Sequence, residues 1–200
     1  MKSCKYFKGD RPCKYYWIDR SWDCDNCSHH TTYSERILLI KLDELGDVVR
    51  STALVEGLRK TYQESQITWL VAKSGKYFLQ DNPNIDRILE YNNETIRQLQ
   101  CEKFDLIINL DKDSKATSLI TTLDSDVKRD GCTIPLNQGT NDSYYASLDN
   151  WGKKIKETKS YQELIFDISE IKYSGEKPKI FLNDGGKFKD KFYERYNIKK

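Results

Sequence analysis

Four of the chain's six cysteines fall within its first 27 residues, at Cys4, Cys13, Cys24 and Cys27, a spacing of C-x8-C-x10-C-x2-C. Thiolates are soft metal ligands, and the Cys24-Asp25-Asn26-Cys27 knuckle can present two of them to one ion. With Cys4 and Cys13 the set would complete a tetrahedral Cys4 site, with zinc as first choice and iron as the alternative. His29 and His30 lie close and could replace one cysteine, although they read more naturally as surface residues. The competing interpretation is four reduced thiols with no ligand. Cys101 and Cys132 stand alone and read as small core residues. The sequence starts without a secretory h-region, so clustered thiols point to metal rather than to disulfides.

A second group of reactive types sits in "LIKLDELGDVVRST", residues 39–52. An apolar run climbs to Lys41, and an acidic turn carrying Asp43, Glu44 and Asp47 follows. In a parallel sheet, ligands gather at the carboxyl ends of strands, where this turn would lie. Gly46 would let the backbone take unusual angles or approach a ligand closely. Asp47 would open the following helix, where the macrodipole favours negative charge. Two readings stand side by side. Asp47 is a helix cap beside two solvated loop charges, or it is a carboxylate placed to take a proton from a bound hydroxyl. Lys41 would pair with Asp43 or Glu44, or contact ligand charge.

These residues need a scaffold, and the hydrophobic pattern supplies one. "RILLIKL" (36–42) is a continuous apolar run, as in a strand buried on both faces. Val48, Thr52, Val55, Leu58 and Tyr62 recur on one helical face. "QITWLVA" (66–72), "IDRILEY" (85–91) and "FDLIINL" (104–110) read as further strands, and "VKRDGCTI" (127–134) as a weaker one. Between them, "KSGKYFLQDN" is a short helix ending near Pro83, "NETIRQLQC" (93–101) is a helix capped by Asn93, and 113–123 is another. "YQELIFDISEI" (161–171) has helical spacing, while 137–160 reads as a long polar loop or helical excursion. Strands alternating with helices predict an α/β fold, a Rossmann-like parallel sheet with flanking helices.

Composition narrows the function. Lys and Arg number 33 against 31 Asp and Glu, a net charge of +2. Such a balance gives no electrostatic case for nucleic acid. The mean hydropathy of -0.77 and the lack of a long apolar run argue against a transmembrane segment, so a cytoplasmic protein is expected. Oligomeric state is not legible. Trp17, Trp22 and the Tyr15-Tyr16 pair flank the cysteines. They could pack the leader onto the sheet or form an interaction face.

The stretch "ILLIKLDELGDVVRSTALVEGLRKTYQESQITWLVAKSGKYFLQDNPNIDRIL" resembles the N-terminal domain of the heptosyltransferase-like glycosyltransferases, family 9. The family pattern is an apolar strand ending in a basic residue, a Leu-Gly-Asp turn, "I-x-W-L-V" on the second strand and a hydrophobic-Asp-Arg-hydrophobic signature on the third. "FDLIINLDKDSKATSLI" is similar to the family's fourth strand and its lysine-bearing loop. The leader, "CKYFKGDRPC" with "CDNC", resembles that of a subset of the family. The resemblance covers roughly 35–182 and implies one half of a GT-B fold, in which this half holds the acceptor. Asp47 would be the general base of an inverting transfer of a heptose-like sugar. Lys41, Gly46 and Lys115 would contact the acceptor, which would be a sugar or lipopolysaccharide-like molecule, or a protein.

The implied division is a cysteine-rich metal-binding module (1–34), an acceptor-binding domain (35–182) and the start of an interdomain connection (183–200). The nucleotide-sugar would bind a second domain that these residues do not contain, so this chain alone should transfer nothing. Asn109 and Asp111 replace the Asp and Gln frequent after the fourth strand, and Arg50 and Ser51 stand where the lipopolysaccharide enzymes tend to have His and Thr. Both departures bear on the acceptor. The alternative from another class is a metal-ribbon module that binds protein or nucleic acid, with the Rossmann-like half as its scaffold.

Overall fold

The computed structural model describes residues 4–7, 11–130 and 159–183. Cys132, most of the polar stretch 137–160, residues 131–134 of the expected fifth strand and nearly all of 183–200 lie outside them. Among the described residues the strands are β1 (Arg36–Ile40), β2 (Gln66–Val71), β3 (Arg87–Glu90), β4 (Lys103–Asn109) and β5 (Asp124–Asp130). They form one sheet in the order β3-β2-β1-β4-β5, every pair parallel. The helices are α1 (Lys14–Ile18), α2 (Leu45–Thr61), α3 (Lys73–Leu79), α4 (Asn93–Gln100), α5 (Ser114–Thr122) and α6 (Tyr161–Ile168).

The continuous apolar runs are explained by two cores. On one face Ile37, Leu39, Ile67, Trp69 and Val71 meet Val48, Leu54 and Leu58 of α2, Leu79 of α3, and Ile165 and Phe166 of α6. On the other, Leu38, Ile40, Leu70 and Ile107 meet Leu99 of α4 and Leu119 and Ile120 of α5. Alternate residues of β1 thus serve opposite layers, and each such aliphatic side chain contributes about 1.5–3 kcal/mol when fully buried. Gly57 is the contact point between α2 and α6. A Cβ there would lie 2.4 Å from Cε1 of Phe166, so only glycine lets the two helices approach this closely.

Boundaries moved where local chemistry competes. Asn92, not Asn93, caps α4, its side chain accepting from the Thr95 amide at 2.8 Å. β5 begins three residues before the expected start, in a polar run that an edge strand tolerates. α6 opens on a capping box, Ser160 and Glu163 bonding each other's backbone amides. Cys101, the C-cap residue of α4, is exposed rather than in the core.

The amino-terminal edge of the sheet is fastened by charge. Asp86 accepts from the Ile67 amide at 2.8 Å and from the Arg59 guanidinium. Arg87 makes a two-pronged pair with Glu102, at 2.8 and 2.9 Å, and Arg36 joins it. Burial opposes ionisation of Glu102, but the two arginines outweigh it and hold the carboxyl below its ordinary value. The leader is tied to this same edge. Lys5 reaches Asp86 at 3.3 Å, and the Ser34 amide donates to the Glu64 carbonyl at 3.0 Å.

Candidate active site

The strand order reverses between β1 and β4. β1 is followed outward by β2 and β3, while β4 and β5 lie on its other side. At such a switch point the loops leaving the two central strands diverge and open a crevice at their carboxyl ends. The acidic turn after β1 and the Asp111–Lys115 loop after β4 are the two lips.

Two ion pairs join the lips. Inside, Lys41 Nζ lies 2.5 Å from Asp111 Oδ1, with side chains only 4% and 8% exposed, and the Leu42 amide donates to the other carboxylate oxygen. Burial pushes Asp111 up from its ordinary value, while Lys41 and the Leu42 amide pull the other way. Asn109 braces the loop, its side chain donating to the Asp111 carbonyl at 2.8 Å and accepting from the Asp111 amide at 3.0 Å. At the rim Lys115 stands 3.9 Å from Asp43, both well exposed. Lys41 therefore pairs with Asp111, not with Asp43 or Glu44. Its ammonium faces inward, whereas Lys115 is accessible.

The turn is built differently from its sequence reading. α2 begins at Leu45, and its N-cap is Glu44, in the left-handed region at φ 62° and without a side-chain capping bond. Asp47 lies inside the first turn, so it is not the cap. The unusual backbone angle belongs to Glu44 rather than to Gly46. A non-glycine residue there costs of order 1–3 kcal/mol and marks a turn held by its surroundings. Gly46 has a different use: a Cβ built on it meets nothing within 4 Å, so it faces open space.

Asp47 has neighbours that the sequence did not announce. Its Oδ1 accepts from Arg50, whose guanidinium lies over the Tyr161 ring at 4.0 Å from the centroid. The Tyr161 hydroxyl is 3.0 Å from Ser51 Oγ. Burial, with Asp47 and Asp111 nearby, pushes the Tyr161 phenol well up, against the Ser51 hydrogen bond and Arg50. Tyr161 is therefore a neutral hydrogen-bonding group at neutral pH. It comes from α6, 110 residues along the chain from Ser51. The capping box foretold the helix but not its docking place.

The cysteines belong to the leader, which is tied to the amino-terminal edge of the sheet. Cys4, Cys13, Cys24 and Cys27 border one cavity of about 260 Å3. Burial and the neighbouring cysteines push the Cys24 thiol up. Tyr15 stacks on His29 at 3.9 Å, and Tyr6 meets Tyr15 edge-on at 4.9 Å. The aromatics thus wrap the leader's own cavity, leaving Trp17 exposed. His29 is exposed as expected, but His30 is half-buried. Among the described residues no group of three or more His, Cys, Asp or Glu side chains is gathered to hold a metal ion. No helix among them is long and apolar enough to cross a membrane.

No protein-family model matches the chain. The lipopolysaccharide core heptosyltransferase OpsX of Haemophilus influenzae is 26% identical over 97 residues, 44% of this chain and 28% of that protein. Among solved structures, the family 9 glycosyl transferase of Veillonella parvula superposes with a TM-score of 0.63 at 19% identity, over 84% of this chain and 51% of that one. The ADP-heptose lps heptosyltransferase II of E. coli gives 0.51 at 13% identity, over 82% and 51%. Heptosyltransferase WaaC of E. coli, with ADP, gives 0.52 at 16% identity, over 72% and 50%. The chain spans about half the length of these structures. Its parallel sheet with flanking helices shares the fold of about half of each of these glycosyltransferase structures.

Proposed function

We propose that the chain is the acceptor-binding half of an inverting, heptosyltransferase-like glycosyltransferase, with Asp47 as the general base. The observation that carries this reading is the place of Asp47: at the switch-point crevice, one residue from the open space over Gly46. Arg50 occupies its Oδ1, which leaves Oδ2 for an acceptor hydroxyl. Asp47 would take that hydroxyl's proton. The oxygen would attack the anomeric carbon of a nucleotide-sugar, and the bond from that carbon to the nucleotide diphosphate would break. The donor is assigned to a second domain, as the twofold length of the solved relatives suggests. Lys115 at the rim suits an anionic acceptor, of which lipopolysaccharide core is the first candidate because the similar heptosyltransferases are named for it. Lys41 acts from behind, fixing the two lips in register.

The test uses the full-length protein with ADP-heptose and a lipopolysaccharide core acceptor. Asp47→Asn should lower transfer by about 10²-fold or more, the usual size of a lost general base. The variant should stay folded, because the exposed Asp47–Arg50 pair is worth less than about 1 kcal/mol. Full transfer by Asp47→Asn would exclude it as the base, and transfer by the isolated 200-residue chain would overturn the half-site reading. A binding module built on the leader predicts the reverse pattern, with function lost in Cys24→Ser and kept in Asp47→Asn.

A further inference from the structure

Asp47 and Arg50 are three residues apart on α2, a spacing that puts them on one face of the helix. Such pairs on a helix surface hold their geometry weakly, because both side chains keep other rotamers open to them. Here the side chains are 29% and 49% exposed, yet the arginine is not left to solvent alone. Its guanidinium carbon lies 4.0 Å from the centre of the Tyr161 ring. A planar, weakly hydrated cation stacks on such a face, whereas an ammonium has no flat face to stack. The ring is itself fixed. Its hydroxyl is 3.0 Å from Oγ of Ser51, a fully buried residue. Tyr161 opens α6, whose first turn is closed by the Ser160–Glu163 capping box. Further along both helices Phe166 packs against Gly57, so α6 is docked on α2 at two points.

We propose that Arg50 is a positioning residue for Asp47, held on Tyr161 so that the carboxylate keeps one orientation toward the crevice. This rests on the reading of Asp47 as the base. A base acts only within hydrogen-bond reach of the proton it takes, so its direction matters as well as its charge. Arg50 engages Oδ1 and thereby settles which oxygen is presented. Freed from Arg50, Asp47 would spread over the three staggered wells of its first torsion and a broad second one, and the productive fraction would fall by about 3–10-fold. Substrate binding would change little, because the interaction lost is one made in the transition state. Tyr161 acts one step further back. It touches Arg50 and not the reacting atoms, so α6 supports the site without contacting substrate.

The test measures kcat and KM in the full-length protein with ADP-heptose and a lipopolysaccharide core acceptor. Arg50→Met should lower kcat by about 3–10-fold and leave each KM within about twofold. Tyr161→Leu should do the same, and Tyr161→Phe, which keeps the ring, should restore most of the rate. In the Asp47→Asn background, Arg50→Met should change the residual rate by less than about twofold, because the group it positions is already gone. The half-exposed Arg50 is no part of the core, so its variant decides even if Tyr161→Leu fails to fold. An unchanged kcat in Arg50→Met, beside an inactive Asp47→Asn, would overturn the positioning role and leave the base in place. A raised acceptor KM at unchanged kcat would mean that Arg50 holds the acceptor directly, and would overturn it too. Equal losses from Arg50→Met with and without Asp47 would have the same force. Full transfer by Asp47→Asn would remove the base and this inference together.

Discussion

Replacing Lys41 by methionine removes one partner of the pair that joins the crevice lips and leaves the shape nearly intact. Asp111 would then keep one backbone donor, the Leu42 amide, in a place where its side chain is only 8% exposed. Breaking a buried pair in this way costs about 3–5 kcal/mol. The carboxyl can limit the loss by taking a proton, and each unit of pKa shift is worth about 1.4 kcal/mol. The sign follows from its direction. Burial already raises Asp111 above the unfolded value of 3.8, and the variant raises it further. Between 3.8 and that raised value the folded variant binds the extra proton, so its stability should recover as pH falls through this window. Urea denaturation of both proteins from neutral to weakly acid pH reads this directly. Lys41→Met with Asp111→Leu should return to within about 1–2 kcal/mol of wild type, short of it because the Leu42 amide loses its acceptor. A loss below 1 kcal/mol that ignores pH would refute the buried-pair reasoning.

Two further outcomes concern packing and charge. Gly57→Ala should gain about 1 kcal/mol of helix propensity and lose more, since its Cβ would meet Phe166 at 2.4 Å; a net loss of about 1–2 kcal/mol in thermal unfolding is expected, relieved by adding Phe166→Leu. Glu102→Gln should cost about 3 kcal/mol by stranding Arg87. Because Glu102 is held below its ordinary 4.5, its contribution is complete above that pH and is lost as pH falls through the lowered folded value. The two denaturation curves should therefore converge only in stronger acid.

The sheet was readable because β1, β2 and β4 are buried on both faces, and double burial writes an unbroken apolar run. β5 was harder, since "DSDVKRD" has one aliphatic residue and owes its pairing to the neighbouring strand rather than to its own pattern. In the crevice, Asp47 was legible from the turn, but its company was not. Arg50 follows it by about one helical turn, whereas Tyr161 arrives from a distant helix, and periodicity carries no information on such docking. Lys41 shows a different limit. Its place at a strand end is plain from the sequence, but whether its ammonium turns inward depends on Asp111, 70 residues away. The four cysteines read as one set of metal ligands; the structure places them on one cavity, and among the described residues no three ligating side chains are gathered for an ion.

The fastening of the leader at the amino-terminal edge has an electrostatic consequence. β1 alone sets five residues, about 17 Å, between that edge and the turn that begins the crevice. Exposed charges farther apart than a Debye length, about 8 Å at physiological ionic strength, hardly sense one another. A gain or loss of charge among the cysteines would thus arrive at Asp47 almost fully screened. Communication between the two ends would have to be mechanical, through the pull of Lys5 on Asp86 and of Ser34 on the loop before β2.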